Sequence, residues 1–262
     1  MSIRTLMLQS QIKFRFKAFG WHLLASAIVL AVVVGGLYLG WYRWPGWYLA
    51  DATQVTRVMI GVDLVVGPLL TMVIASPLKP LRTLARDVSV IAAIQLIALG
   101  YGSVSLWNGR PLYFAFSEDV LQLVQAYDIS PIQAALGRKD NPDLASHWYS
   151  LPRWVWAPLP PDGPERDRII SAAVAGGDDV IALPAHYKPW NQGTEALRAQ
   201  LKRLDDIKYF SAYDKNTLKQ RMLEAGLPAD QPVCIAMTGR GYPLLAVLNP
   251  RDLSVVALLR SH

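Results

Sequence analysis

The chain has a single cysteine, Cys234, among its 262 residues. No internal disulfide can form, so any folded part must stand on apolar burial alone. Its four histidines, His22, His147, His186 and His262, show no metal-ligand spacing, with no helical pair and no cysteine partner. There is no GxSxG elbow, no GxxxxGK[ST] phosphate loop and no GxGxxG fingerprint. The adjacent acids Asp178-Asp179 and Asp205-Asp206 do not make a catalytic dyad. Neighbouring side chains diverge by about 100° on a helix and face opposite ways on a strand, and capping and solvation account for them. These absences predict a protein that is not an enzyme and that holds no metal and no cofactor.

Charge is also missing, and in blocks. Trp21–Tyr42 and Val88–Trp107 contain no Asp, Glu, Lys or Arg, and Val58–Ser76 contains only Asp63. A helix needs about 20 mostly apolar residues to cross the hydrocarbon layer of a bilayer. The three stretches therefore predict spans at about 21–42, 58–76 and 88–107. Beyond Trp107 the composition is that of an ordinary globular domain. The expected fold is a membrane protein with three transmembrane α-helices, followed by an α+β domain with a mainly antiparallel sheet. Its parts are a basic N-terminal segment, 1–19, a transmembrane region, 20–107, and an outer domain, 108–262.

The net charge of +6 hints at nucleic acid until it is located. Residues 108–262 hold 17 Lys/Arg and 17 Asp/Glu, while residues 1–107 hold nine basic and three acidic residues. The excess flanks apolar spans and does not cluster on the folded domain, so no nucleic-acid partner is expected. Cytoplasmic segments are enriched in Lys and Arg. Arg4, Lys13, Arg15 and Lys17 precede the first span, and Lys79, Arg82 and Arg86 lie between the second and third. Only Arg43 and Arg57 lie between the first and second. This bias puts the N-terminus in the cytoplasm and residues 108–262 outside. The first span is too long for a signal-peptide core and runs into Trp41, Tyr42, Trp44, Trp47 and Tyr48, which read as an interfacial aromatic belt. Retention of this span is expected. The alternation of residues 12–19 is poorly helical and leaves open whether they extend it.

Asp63 is the most informative residue of the membrane part. An acid at the bilayer centre costs about 2.5–3.5 kcal/mol on the insertion scale. Counted from Val58 it lies about 8 Å inside the outer end of its span. It serves either as a polar contact to another helix or as a hydrogen-bonding partner of the outer end of span one, near Tyr38, Tyr42 or Arg43. Gly67 and Pro68 follow on the same span, where proline bends the helix. Gln95 on the third span wants a partner on another helix.

In the outer domain, Leu112–Phe116 and Val120–Tyr127 read as a hairpin around Ser117-Glu118-Asp119. Ser130 caps a short helix ended by Gly137, and Asp162 caps a helix stopped by Gly176-Gly177. Leu151–Pro160, interrupted by prolines, reads as an edge strand or an extended segment. Amphipathic helices are expected over 194–207 and 214–225. Strands follow at 233–238, 244–248 and 253–259. Trp154 and Trp156 lie two apart, on one face of a strand. With Trp148, Trp190, Tyr149 and Tyr187 they form either an aromatic binding patch, an ordinary core, or a face resting on the membrane.

Two segments carry a family resemblance. Gly61-Val62-Asp63-Leu64-Val65-Val66-Gly67-Pro68-Leu69-Leu70-Thr71 resembles the second-span signature of the TfpX/TfpZ type IV pilin accessory proteins. Asp87 through Gln95 to Tyr101-Gly102, then Gly109-Arg110-Pro111-Leu112-Tyr113, is similar to their third span and its exit, and Tyr127-Asp128-Ile129 to their hairpin end. The resemblance covers roughly residues 18–130, and more loosely the later helix with Gly176-Gly177. It implies a chaperone-like accessory factor of the bacterial inner membrane, with its C-terminal domain in the periplasm. Its partner would be a cognate major or minor type IV pilin, whose assembly or membrane pool it tunes without catalysis. Asp63, Gly67, Pro68, Gln95, Trp154 and Trp156 are the candidate partner-binding residues. The runner-up is a membrane-anchored sensory or cell-envelope-binding protein with a periplasmic ligand-binding domain.

Overall fold

A computed structural model describes residues 3–207, 212–224, 226, 227, 231, 233–240 and 244–260. His262 and residue 225, the expected end of the second amphipathic helix, lie outside them. The chain divides into two compact units, Met1–Gly40 with Ala52–Asn108, and Trp41–Asp51 with Gly109–His262.

The first unit is three apolar helices. Helix α1 spans Ile3–Gly40. After the short α2, Gly46–Leu49, the second span is continuous over Ala52–Ile74. It comprises α3 (Ala52–Ile60), a π-helical stretch (Gly61–Val66) and α4 (Gly67–Ile74). The third is α5, Leu81–Asn108. All three are long and apolar enough to cross a membrane. Their outer faces carry Val32, Val58, Val73, Leu96 and Ile97, the last 73% exposed. Water would penalise that much apolar surface, whereas hydrocarbon does not. Residues 12–19, whose pattern looked poorly helical, are helical within α1. Once the apolar span has nucleated the helix, each further residue adds a backbone hydrogen bond at little cost, which outweighs a weak periodicity. At the other end of the bundle, Arg15 donates from Nε to the Ala75 carbonyl at 3.1 Å, placing a cation at the C-terminus of α4.

The second unit is an α+β domain on a seven-stranded sheet of order β4-β3-β1-β2-β5-β6-β7. Strands β1 (Pro111–Ser117) and β2 (Val120–Gln125) form the expected hairpin. Helix α6 (Pro131–Asp140) leads to β3 (Arg153–Trp156), which lies parallel to β1. Helix α7 (Pro164–Val174) precedes the two-residue β4 (Lys188–Pro189), antiparallel to β3. Helices α8 (Trp190–Gln200) and α9 (Ala212–Glu224) follow. Strand β5 (Cys234–Thr238) runs parallel to β2, and β6 (Leu244–Leu248) and β7 (Val255–Arg260) continue antiparallel. Four of the six pairings are antiparallel, which is the α+β class expected.

Local expectations hold where side-chain chemistry dictates them. Ser130 accepts the Gln133 N–H at 3.2 Å as the N-cap of α6. Gly176, at φ +82°, ends α7 with Gly177 N–H on Ala172 O at 2.8 Å and Gly176 N–H on Ala173 O at 3.0 Å. This is the paired closure that a left-handed glycine permits. Other expectations needed tertiary information. Gly137 does not end α6; it sits inside the helix, where a Cβ would fall 2.7 Å from the Pro184 Cβ, so it is there for close packing. The residue capping α7 is Gly163, while Asp162 pairs with Arg166 at 3.4 Å. Strand β3 is not at the edge, because β4 covers it. The helix expected over 194–207 runs from Trp190 to Gln200. Lys202 then exchanges two backbone bonds with Cys234, at 2.8 and 2.9 Å, and leaving the helix lets the chain extend the sheet. Leu204 is still fully buried.

Packing follows the pleat. Tyr113, Ala115, Val124, Val155, Ala157 and Tyr187 form one buried cluster. Under α9, Leu218 and Met222 join Cys234, Leu245, Val247 and Ala257 in another. Phe114, Phe116, Trp154 and Trp156, at alternate positions, point to the opposite face. Leu223, next to Met222 on α9, is exposed.

Candidate functional site

The second span carries the least ordinary backbone of the chain. In an α-helix the Asp63 carbonyl would accept the N–H of Gly67. Here Gly67 donates to the Val62 carbonyl, one residue further back, which defines the π-helical stretch. In that wider register the donor to Asp63 would be residue 68, a proline with no N–H. The Asp63 carbonyl is thus orphaned twice, by register and by residue type. A buried backbone carbonyl without a partner is costly, and a side chain supplies the missing donor. Gln95 of α5 donates from Nε2 to Asp63 O at 3.1 Å. It can come this close because residue 67 has no side chain; a Cβ there would fall within the Gln95 carboxamide.

The network continues into α1. Gln95 Oε1 lies 2.6 Å from His22 Nε2, and His22 Nδ1 lies 2.5 Å from Thr71 Oγ1. A carboxamide oxygen only accepts, so the His22 proton sits on Nε2, and Nδ1 takes the Thr71 hydroxyl hydrogen. Ser26 Oγ lies 3.5 Å from Gln95 Nε2. Four polar side chains and one carbonyl from three helices are thereby joined. Each such interhelical bond is worth about 0.6–2 kcal/mol in a membrane. Asp63 lies midway along Ala52–Ile74, not near the outer end of its span. Its nearest polar neighbour is Gln95, on another helix. The residue is 4% exposed, and its Oδ2 has no hydrogen-bond partner.

These residues form the floor of a cavity of about 470 Å³. One wall is the α1 face Ala18, Trp21, Ala25 and Val29; the other is the α5 face Val88, Ala92, Leu96 and Leu99. Asp63 and Thr71 rise from the second span between them. The walls are apolar, and Trp21, Val29 and Leu96 are exposed at the rim.

Of the six candidate residues, Asp63, Gly67, Pro68 and Gln95 come together here. Trp154 and Trp156 belong to the other unit. Trp154 stacks on Phe114, with centroids 4.6 Å apart, and lies 5.2 Å from Trp190. Trp156 is packed by Gly193 of α8, with Lys188 Nζ 5.2 Å from its ring centroid. The larger aromatic group foreseen in the sequence divides. Tyr187 is buried against Tyr113 in the core, with centroids 4.9 Å apart, whereas Trp148 and Tyr149 are exposed. Burial pushes the Tyr113 hydroxyl up to about 12, so it remains a donor to Leu144 O at 2.9 Å. A second cavity, of about 330 Å³, is lined by Trp44, Phe114, Trp154, Trp190, Asp252 and Leu253 among others. Hydrogen bonds from Ser254 hold the Asp252 carboxyl below its ordinary range. His22 and Thr71 were missed as site residues. Periodicity marks them only as members of apolar helices, and the signal was their place one turn from Ser26 and from Gly67, respectively.

These features define a membrane protein with a polar floor inside a three-helix bundle and a separate sheet domain. No family model and no solved structure matches the chain. Its relatives are fimbrial assembly proteins of Dichelobacter nodosus. It is 32% identical over 116 residues to that of serogroups C1 and C2, covering 44% of this chain and 88% of the relative. It is 27% identical over 194 residues to that of serogroup I, 73% of each chain. It is 24% identical over 241 residues to that of serogroup E1, 90% of this chain and 91% of the relative. The chain belongs to this family of fimbrial assembly proteins. A match of 241 residues is too long for either unit alone, so anchor and sheet domain are shared together.

Proposed function

We propose that the chain is an inner-membrane accessory factor for type IV pilin, with its N-terminus in the cytoplasm and its sheet domain in the periplasm. It acts by contact and not by catalysis, in the manner of a chaperone for a subunit awaiting assembly. The observation that carries this reading is the match along nine-tenths of the chain to a fimbrial assembly protein. The groove between α1 and α5 supports it, since a subunit held in a membrane by an apolar stem needs an intramembrane partner. The distribution of Lys and Arg supports the orientation.

The test is in-cell photo-crosslinking from a groove position, Ala25, and from Trp156 in the sheet domain, followed by identification of the captured protein. Capture of pilin from Ala25 is expected. Capture of other proteins but never pilin, in a strain making both, would sink the reading. Truncation after Trp107 is expected to reduce co-purification with pilin. Undiminished co-purification would confine recognition to the membrane part.

A second reading, a sheet domain that senses a small ligand, is favoured by the cavity of Trp44, Trp154 and Trp190 beside the ionised Asp252. That lining suits an organic cation. Titration of the protein with a quaternary ammonium compound, followed by tryptophan fluorescence, separates the two.

A further inference from the structure

We infer that the groove between α1 and α5 is a docking site for one transmembrane helix of another protein, and that this helix carries a hydrogen-bond donor at mid-membrane depth which pairs with Asp63. The inference rests on the reading of the chain as partner to a membrane-held subunit, and it names the chemistry of that subunit's stem. Four observations specify the occupant. The groove has the length of a helical segment: Ala18–Val29 on one wall and Val88–Leu99 on the other each extend about 16 Å at 1.5 Å per residue. Ala18, Ala25 and Ala92 line it, and small residues of this kind let a second backbone approach closely. The walls are apolar, which suits a lipid-embedded stem and not a soluble ligand. The floor holds one buried acceptor left over, Asp63 Oδ2, after Gln95, His22 and Thr71 have satisfied one another.

The leftover acceptor decides what the helix must carry. A carboxylate in an apolar groove is costly unless it is paired. Gln95, His22 and Thr71 are already engaged in their own network. An incoming Ser, Thr, Asn, Gln or Lys side chain at the level of Asp63 supplies what is missing, whereas an uninterrupted apolar helix or a lipid chain does not. Depth follows as well, because Asp63 and Gln95 lie at the midpoints of their own helices. The donor on the partner therefore stands near the middle of its span, about ten residues from either end.

The experiment uses the full-length protein in lipid nanodiscs and two fluorescent synthetic helices of leucine and alanine, identical except for a central Asn in one and Leu in the other. Binding is read by energy transfer. The Asn helix is expected to bind roughly three- to thirty-fold more tightly, the range of one interhelical hydrogen bond. Asp63→Leu should abolish the difference and Asp63→Asn should keep part of it. Ala92→Phe, which narrows the groove from its α5 wall, should weaken both helices. Equal affinities for the two helices in the native protein overturn the inference, as does a preference that survives Asp63→Leu. Loss of binding by both helices, meaning a groove filled by lipid, overturns it too. Because no pilin is present, failure here is distinct from failure to capture pilin in cells.

Discussion

Gln95 gives its amide hydrogen to the Asp63 carbonyl at 3.1 Å, at the one level of the second span where Pro68 has no hydrogen to give. The two substitutions therefore predict each other. Gln95→Leu strands the Asp63 carbonyl and removes the acceptor of His22, and is expected to cost about 1–3 kcal/mol. Pro68→Ala supplies a backbone donor where none existed. In that background the same Gln95→Leu change is expected to cost less, by roughly 0.5 kcal/mol or more. Thermal unfolding of the four proteins in detergent, followed by tryptophan fluorescence, measures the coupling. Strictly additive effects would contradict the assignment of Gln95 as the surrogate donor.

Gly67 is the gap that lets Gln95 in. Its φ is −61°, so the residue is glycine for space and not for conformation. Gly67→Ala must push the carboxamide away and break the network, with a cost of about 1–3 kcal/mol. Gln95→Ala added to it removes the clash. The double variant should be less destabilised than the sum of the two single ones, which the same unfolding measurement reads.

A second close approach lies in the sheet domain. A Cβ at Gly193 would fall 2.5 Å from Trp156 Cγ, between α8 and β3. Rings cannot yield as flexible chains do. Gly193→Ala is expected to lower stability by about 1–3 kcal/mol and to change the near-ultraviolet circular dichroism of the tryptophans. An unchanged spectrum with native stability would show that β3 and α8 do not meet at this point.

How much of this was legible in the sequence differs by level. The three spans are plain in the charge gaps, and β1, β2, β6 and the α7 stop are plain in strand formers and glycines, because these signals are local. The parallel placement of β3 beside β1 and of β5 beside β2 was not legible, since nothing in a strand's own residues names its neighbour. Asp63, Gly67, Pro68 and Gln95 were picked out singly as unusual residues in apolar helices. That they constitute one device depends on the π register, which puts residue 68 opposite the Asp63 carbonyl, and periodicity does not reveal a register change. Trp154 and Trp156 share a face as their spacing required, yet Gly193, the reason Trp156 can be covered, lies just before the helix start expected at 194 and drew no notice. Thr194, where that helix was expected to begin, lies inside α8, its hydroxyl donating back to the Asn191 carbonyl at 3.0 Å.

The lone cysteine makes the orientation testable without removing it. Cys234 is fully buried, and burial pushes its thiol up to about 12. At pH 8 that leaves about one thiolate in ten thousand, and the thiolate is the reactive form. The folded protein should resist maleimide at pH 8 and react once denatured. Raising the pH favours reaction only as it nears the shifted value, and not at the ordinary thiol range. Against this silent background, a cysteine placed at Asp119, in the exposed turn between β1 and β2, reports the sheet domain. One placed at Leu78, 80% exposed between the second and third spans, reports the opposite side. The proposed orientation predicts that an impermeant maleimide added to spheroplasts labels Asp119→Cys at once and Leu78→Cys only after lysis. The reverse order would put the sheet domain in the cytoplasm, where it could not meet the exported head of a fibre subunit.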